Sequence, residues 1–307
     1  MLYDVIIIGG GPAAVAGGVY AARKRLKTLF VAGEWGGQSI VSDDIQNWIG
    51  TPSISGADLA KSLKTHLETY KSDIVDIKED WVQQVEKTPE GFKVTAAKGE
   101  YLGKTVLVAT GASRRKLEAP GALQFDQKGL TYCATCDGPL FADRDVAVIG
   151  GGNAGFETAA QLLAYCKSVT LLHRNPEFKA DAVTVEKLLK NPKFRALRNV
   201  DIVEIKGDKF VSGLTYKDKD SGENHELPVE GIFVEVGNIP ATDFVKDLVQ
   251  LNQNRSIIVD GKSQRTSLLG IWAAGDCTDA LYHQNNIAAG DAIKALEDIY
   301  AHLHLGK

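Results

Sequence analysis

Little in this 307-residue chain points outward to a membrane, a nucleic acid or an oxidising compartment. The opening Met1-Leu2-Tyr3-Asp4-Val5-Ile6-Ile7-Ile8 has an acid where a signal peptide would carry basic residues, and its apolar run stops at Gly9. Secretion and membrane spanning are therefore not expected, and a cytoplasmic setting is. A formal net charge of -4 without a long single-sign run leaves no footprint for nucleic acid or an anionic surface. Four cysteines, only two of them closely spaced, fit a reducing cytoplasm better than a disulfide-stapled secreted fold. There is also no second Cys-x-x-Cys to complete the four ligands that a structural zinc needs. What remains is a chain that is 44% hydrophobic and 24% charged, long enough for about two domains.

The two close cysteines lie in Cys133-Ala134-Thr135-Cys136-Asp137-Gly138. A two-residue spacing lets a disulfide close within one helical turn, and a helix start lowers thiol pKa toward the thiolate that exchange requires. Asp137 stands where a carboxylate could move the accompanying proton. A redox-active pair is the leading reading; half of a zinc site or a buried structural pair are the minor ones.

Two stretches share one grammar. Leu2 to Ile8 is a β-branched apolar run ending in Gly9-Gly10-Gly11-Pro12-Ala13-Ala14, followed by a helical pattern and a strand over residues 27–32. Asp145 to Ile149 runs into Gly150-Gly151-Gly152-Asn153-Ala154-Gly155, a helix through Leu163 and a strand over residues 169–172. One glycine fingerprint is weak evidence, but two in matched strand-turn-helix context are strong. Absent side chains let backbone approach a pyrophosphate, and the helix start offers free N–H groups. Glu34 stands close to the ribose position of the first unit. Residues 105–112 and 231–237 read as strands leaving and re-entering a domain, so the second domain is expected to be inserted in the first. Residues 270–276 form a further strand with Asp276 at its carboxyl end. Leu59, Leu63, Leu67 and Tyr70 mark a core-facing helix over 56–70, and residues 218–224 a hairpin loop. The fold class is α/β, two nucleotide-binding Rossmann-like domains.

Together with Gly36-Gly37-Gln38, Asn47-Trp48-Ile49-Gly50, Ala109-Thr110-Gly111-Ala112 and Gly275-Asp276-Cys277, these motifs resemble the low-molecular-weight thioredoxin reductases, and equally the reductase portion of the alkyl hydroperoxide reductase flavoprotein subunit. The resemblance implies an FAD domain over residues 1–114 and 242–307, an NAD(P)H domain over 115–241, and a homodimer whose domains rotate. It implies FAD on Gly9, Gly11, Pro12, Ala13, Glu34, Gln38, Asn47, Asp276 and Gln284. It implies a nicotinamide dinucleotide on Gly152, Asn153, Ala154, His173 and Arg174, with Lys179 beside them. By the same resemblance Cys136 faces the flavin, Cys133 attacks the partner disulfide, and Asp137 serves as acid-base. The implied partner is thioredoxin or a thioredoxin- or glutaredoxin-like protein. A redox domain before Leu2 is not expected, and electrons are expected to leave to a separate molecule.

The chain departs from that pattern at the second strand end. Thioredoxin reductases of this group carry His-Arg-Arg and a further Arg; here stand His173-Arg174-Asn175 and Lys179. One guanidinium is lost and another becomes an ammonium, which weakens a bidentate phosphate grip. Phe178 to Asp181 resembles the hydroperoxide reductase flavoprotein, which implies NADH. The expected nucleotide is NADPH or NADH, tilted to NADPH by Arg174. Cys166 and Cys277 read as packing residues, and His283 as the other histidine to watch. Two further readings stay open: a flavin-dependent dithiol oxidase using oxygen, and a non-enzymatic redox sensor.

Overall fold

The computed structural model describes residues 1–42, 44–71 and 74–306. They divide into two compact units, the first formed by Met1–Ser113 and Ile239–Lys307, the second by Arg114–Asn238. Among the described residues the α-helices are α1 (Pro12–Arg23), α2 (Gly56–Glu68), α3 (Ala134–Asp137), α4 (Asn153–Leu162), α5 (Ala182–Leu189) and α6 (Asn285–Leu305).

In the first unit the strand Leu2–Ile8 sits in the middle of a mixed sheet, parallel to both its neighbours, Thr28–Ala32 and Gly99–Val108. Its run of apolar residues without polar alternation is what a strand covered on both faces requires. Val5 and Ile7 pack into a layer with α1 and α6, whereas Ile6 and Ile8 face a second cluster with Val94, Val245 and Ile257. The strand Gly99–Val108 is long enough to serve two neighbours on one edge: its first half pairs antiparallel with Gly91–Ala96, its last residues parallel with Ile271–Ala273. That second pairing brings the C-terminal segment, with Asp276 just beyond it, beside the N-terminal strand.

Helix α1 reaches the sheet closely because its contact face is small. A Cβ at Gly17 would press on Leu107 and Leu296, and one at Gly18 on Leu67 and Phe30. Ala288, Ala292 and Ala295 of α6 continue that small-residue seam. Helix α6 ends at Gly306 in the left-handed conformation, φ 64°, the usual glycine stop.

The second unit repeats the plan. Its parallel sheet runs Phe194–Leu197, Ser168–Leu172, Asp145–Ile149, Gly231–Val234, Leu130–Thr131. Ala147 and Ile149 face one apolar cluster, Val146 and Val148 the other, where α4 packs. An antiparallel sheet of Val200–Gly207, Val211–Asp218 and Asn224–Leu227 closes the first face, with the expected hairpin turn after Asp218. The α/β class and the paired nucleotide-binding folds expected from the sequence are what the structure shows.

Candidate active site

In the first unit Gly9 has φ +132°, and a Cβ there would run into the Ala109 carbonyl, so only glycine fits the turn. Gly11 is the N-cap of α1, with no side chain capping it, and Pro12 opens the helix where its missing N–H costs nothing. Ala13 is buried against Gly275, whose Cβ position lies 3.3 Å from the Ala13 methyl. Glu34 is exposed just past Thr28–Ala32.

Four of the remaining residues meet in pairs across more than 230 positions of chain. Gln38 Nε2 donates to Asp276 Oδ2 at 3.1 Å, and Asn47 Nδ2 donates to Gln284 Oε1 at 3.2 Å. Gln284 is the N-cap of α6, again without a side-chain cap bond. His283 Nδ1 lies 3.4 Å from Asp276 Oδ1. Three residues unmarked in the sequence complete the arrangement: Asn286 donates to the Asn47 carbonyl at 2.7 Å, and Ser39 to Asn285 at 2.9 Å. The Asn-rich start of α6 hints at two of them. Two uncapped helix starts and a glycine turn that admits no Cβ suit a dinucleotide with an anionic middle and polar ends, so the residues fit FAD.

In the second unit Cys133 and Cys136 form a disulfide with Cα atoms 5.3 Å apart. Cys133 is the N-cap of α3; its Sγ accepts the Cys136 N–H at 3.2 Å and its carbonyl the Asp137 N–H at 3.0 Å. Thr131, which belongs to none of the sequence motifs, ties the cluster together. Its hydroxyl donates to Asp137 Oδ2 while accepting the Cys133 N–H. Its place two residues before Cys133 fits a hydroxyl turn motif, a signal within reach of the sequence. Gln161 of α4 is equally unmarked: it donates to the Ala134 carbonyl and accepts from Thr135, 3.3 Å in each case. The dithiol turn is thus seated on α4. Cys166 and Cys277 are fully buried, and desolvation pushes each thiol up to about 11. Both are poor nucleophiles at neutral pH.

The second glycine turn matches the first. A Cβ at Gly150, φ +128°, would strike the Glu235 carbonyl, and one at Gly155 the Gly150 carbonyl. Gly152 is the uncapped N-cap of α4 with open space where a side chain would stand, and Asn153 and Ala154 are exposed beside it. The segment after Ser168–Leu172 folds back on this turn. Lys179 N–H donates to the Gly151 carbonyl at 2.8 Å, and the Asn153 side chain accepts the Asp181 N–H at 2.8 Å. His173 is buried with both ring nitrogens engaged: Nδ1 accepts the Gly151 N–H at 3.1 Å, and Nε2 faces the Glu177 carbonyl at 3.0 Å. That pairing makes it a neutral ring protonated at Nε2, and burial with Arg174 and Lys179 nearby lowers its pKa. His173 holds the glycine turn in shape, while Arg174 and Lys179 are exposed at its mouth.

No group of three or more His, Cys, Asp or Glu among the described residues could hold a metal ion. None of their helices is long and apolar enough to cross a membrane.

Comparison with known proteins agrees with this geometry. The chain is 42% identical over 303 residues to an alkyl hydroperoxide reductase subunit of Escherichia coli, and 40% identical over 294 residues to a protein named NADH dehydrogenase of Bacillus subtilis. Each match covers 95% of this chain and 57% of the relative, so the chain spans little more than half the length of these curated relatives. Among solved structures, thioredoxin reductase of Streptococcus pyogenes superposes with TM-score 0.90 at 34% identity, covering 99% of both chains. That of Giardia duodenalis gives 0.92 at 30% identity, covering 98% of this chain and 99% of the other. The sequence pattern of one enzyme family runs through residues 3–292, and with both glycine turns and the dithiol in place the chain belongs to the pyridine nucleotide-disulphide oxidoreductases.

Proposed function

We propose that the protein moves two electrons from NAD(P)H, by way of FAD, into the Cys133–Cys136 disulfide and from there to the disulfide of a thioredoxin-like protein. The observation that carries this is the disulfide at the start of α3, with Asp137 and Thr131 bonded around it, in the same unit as a second dinucleotide turn. FAD belongs on Gly9, Gly11, Pro12, Ala13, Glu34, Gln38, Asn47, Asp276 and Gln284. The nucleotide belongs on Gly152, Asn153, Ala154, Arg174 and Lys179, with His173 shaping their turn. A bound flavin supplies the two-electron carrier between nicotinamide and disulfide.

The chain's own residues do the rest. Two electrons break the S–S bond, leaving Cys136 and Cys133 as thiol and thiolate. Asp137, held by Thr131, exchanges the proton. The Cys133 thiolate attacks the partner disulfide to give a mixed disulfide, and Cys136 resolves it, which restores the intramolecular bond and releases a reduced partner. The relatives named for alkyl hydroperoxide reductase favour an electron acceptor that feeds peroxide reduction; the thioredoxin reductase neighbours favour thioredoxin itself. A reducing cytoplasm suits a disulfide that opens and closes in turnover. A homodimer is part of this reading, supported by the exposed apolar side chains of Ile49, Leu281 and Tyr282 on segments joined by the Asn47–Gln284 bond.

Cys133→Ser and Cys136→Ser are each expected to abolish NAD(P)H-dependent reduction of thioredoxin, a loss on the order of 1,000-fold or more, as for removal of a covalent nucleophile. Flavin content and its reduction by nucleotide should persist. Full turnover in either variant would end the proposal, and a flavin that nucleotide leaves oxidised would favour the dithiol oxidase reading.

A further inference from the structure

The second unit carries a cationic residue at the nucleotide turn that chain order conceals. Strand Phe194–Leu197 lies beside Ser168–Leu172 in parallel, with Leu197 opposite Leu172, so the residues leaving both strands emerge side by side at the sheet's carboxyl end. Backbone bonds then lace the two exits: His173 N–H to the Leu197 carbonyl at 2.8 Å, Asn199 N–H to the Asn175 carbonyl at 3.0 Å, and Val200 N–H to the His173 carbonyl at 3.1 Å. Arg198 is caught between these bonds. Its guanidinium carbon lies 5.6 Å from the centre of the Phe178 ring, which is itself fixed edge-on against Phe156 at 5.0 Å and beside His173 at 5.7 Å.

This placement sets Arg198 beside the strand exit that carries Arg174, and over the ring of the residue preceding Lys179, whose N–H is tied to the glycine turn. All three are exposed, and none has a carboxylate partner among the described residues. Lys219, by contrast, is already occupied by Asp201 and by the Arg174 carbonyl. In a dinucleotide fold this strand end receives the adenosine ribose. An acid there grips the free 2'-hydroxyl; a guanidinium accommodates a 2'-phosphate. The four residues following Leu172 are His173, Arg174, Asn175 and Pro176, and the first acid is Glu177, beyond the proline.

Resting on the nucleotide reading above, we propose that Arg198 supplies the second guanidinium for a 2'-phosphate, in place of the one absent at Asn175, and so makes NADPH the preferred nucleotide. The aromatic face of Phe178 holds the fork flat, which leaves its N–H edge for bidentate contact with phosphate oxygens, a geometry an ammonium cannot reproduce.

The test compares binding of 2',5'-ADP and 5'-AMP by calorimetry to flavin-loaded wild type, Arg198→Ala and Arg198→Lys, together with flavin reduction by NADPH and NADH. Wild type is expected to bind 2',5'-ADP more tightly than 5'-AMP. Arg198→Ala should weaken 2',5'-ADP about 10- to 100-fold, the range of a charge-assisted hydrogen-bonded contact. Its binding of 5'-AMP and its reduction by NADH should stay within about twofold, and Arg198→Lys should recover only part of the loss. Equal losses for both nucleotides, no loss, or a wild type indifferent to the 2'-phosphate would each overturn the assignment. A wild-type flavin that neither nucleotide reduces would refute the electron-transfer reading instead, while the two adenosine ligands still report on Arg198.

Discussion

Glu235 is one side chain through which pH acts on the stability of the second unit. It follows Gly231–Val234, its carboxylate accepts the Thr158 hydroxyl at 2.8 Å, and its backbone carbonyl closes the Gly150 turn. Burial raises its pKa above 4.5, against the opposing pull of Arg114 and the Thr158 bond. A carboxyl whose pKa is raised on folding binds its proton more tightly in the native state. The stability that proton contributes is complete below the unfolded value near 4.5 and is lost as pH rises through the folded value. Glu235→Gln should therefore leave Tm nearly unchanged at a pH of about 4 and raise it relative to wild type at a pH of about 8. A variant that is less stable in the alkaline range would show that the ionised carboxylate is needed where it stands.

At the scale of elements, the two strand-turn-helix units are legible in the sequence because their signals are local: an apolar run, three glycines at fixed spacing, small residues beginning a helix. So is the closure of the dithiol. What the sequence hides are the contacts made by sheet order. Gln38 and Asp276 are 238 residues apart, and only the parallel pairing of Ile271–Ala273 with Gly99–Val108 makes them neighbours. Arg198 is hidden for the same reason, since no periodicity says which strand lies beside Ser168–Leu172. His173 reads as a cofactor contact from its position at a strand end; what the sequence does not show is its burial, with both ring nitrogens engaged at the glycine turn. The turns themselves can be separated by experiment. Gly9→Ala and Gly150→Ala each force a Cβ into a carbonyl at positive φ, at a cost of about 1–3 kcal/mol. Gly9→Ala should purify with depleted flavin. Gly150→Ala should keep its flavin and bind nucleotide on the order of 10-fold more weakly. Loss of flavin in both would mean that the two turns do not serve separate ligands.

For the molecule as a whole, continuity of chain decides what can stand alone. Residues 114–238 are one uninterrupted segment with two apolar clusters of their own, one on either face of their sheet. Expressed by itself, this segment should fold cooperatively, form the Cys133–Cys136 bond and bind 2',5'-ADP with the affinity of the intact protein; a chain without a melting transition by circular dichroism would refute that independence. The first unit has no such freedom, because α6 provides a wall of the layer in which α1 lies.

Helix α4 links the two chemistries of the second unit. Its first residue, Asn153, opens at the glycine turn, and Gln161, near its other end, carries the backbone of Ala134 beside the sulfurs. Those stations are about 12 Å apart along one stiff rod, from about 1.5 Å of rise per residue. On the proposed electron path, the nucleotide turn and the sulfurs are therefore passengers on the same beam, and a break in that beam would unseat both at once.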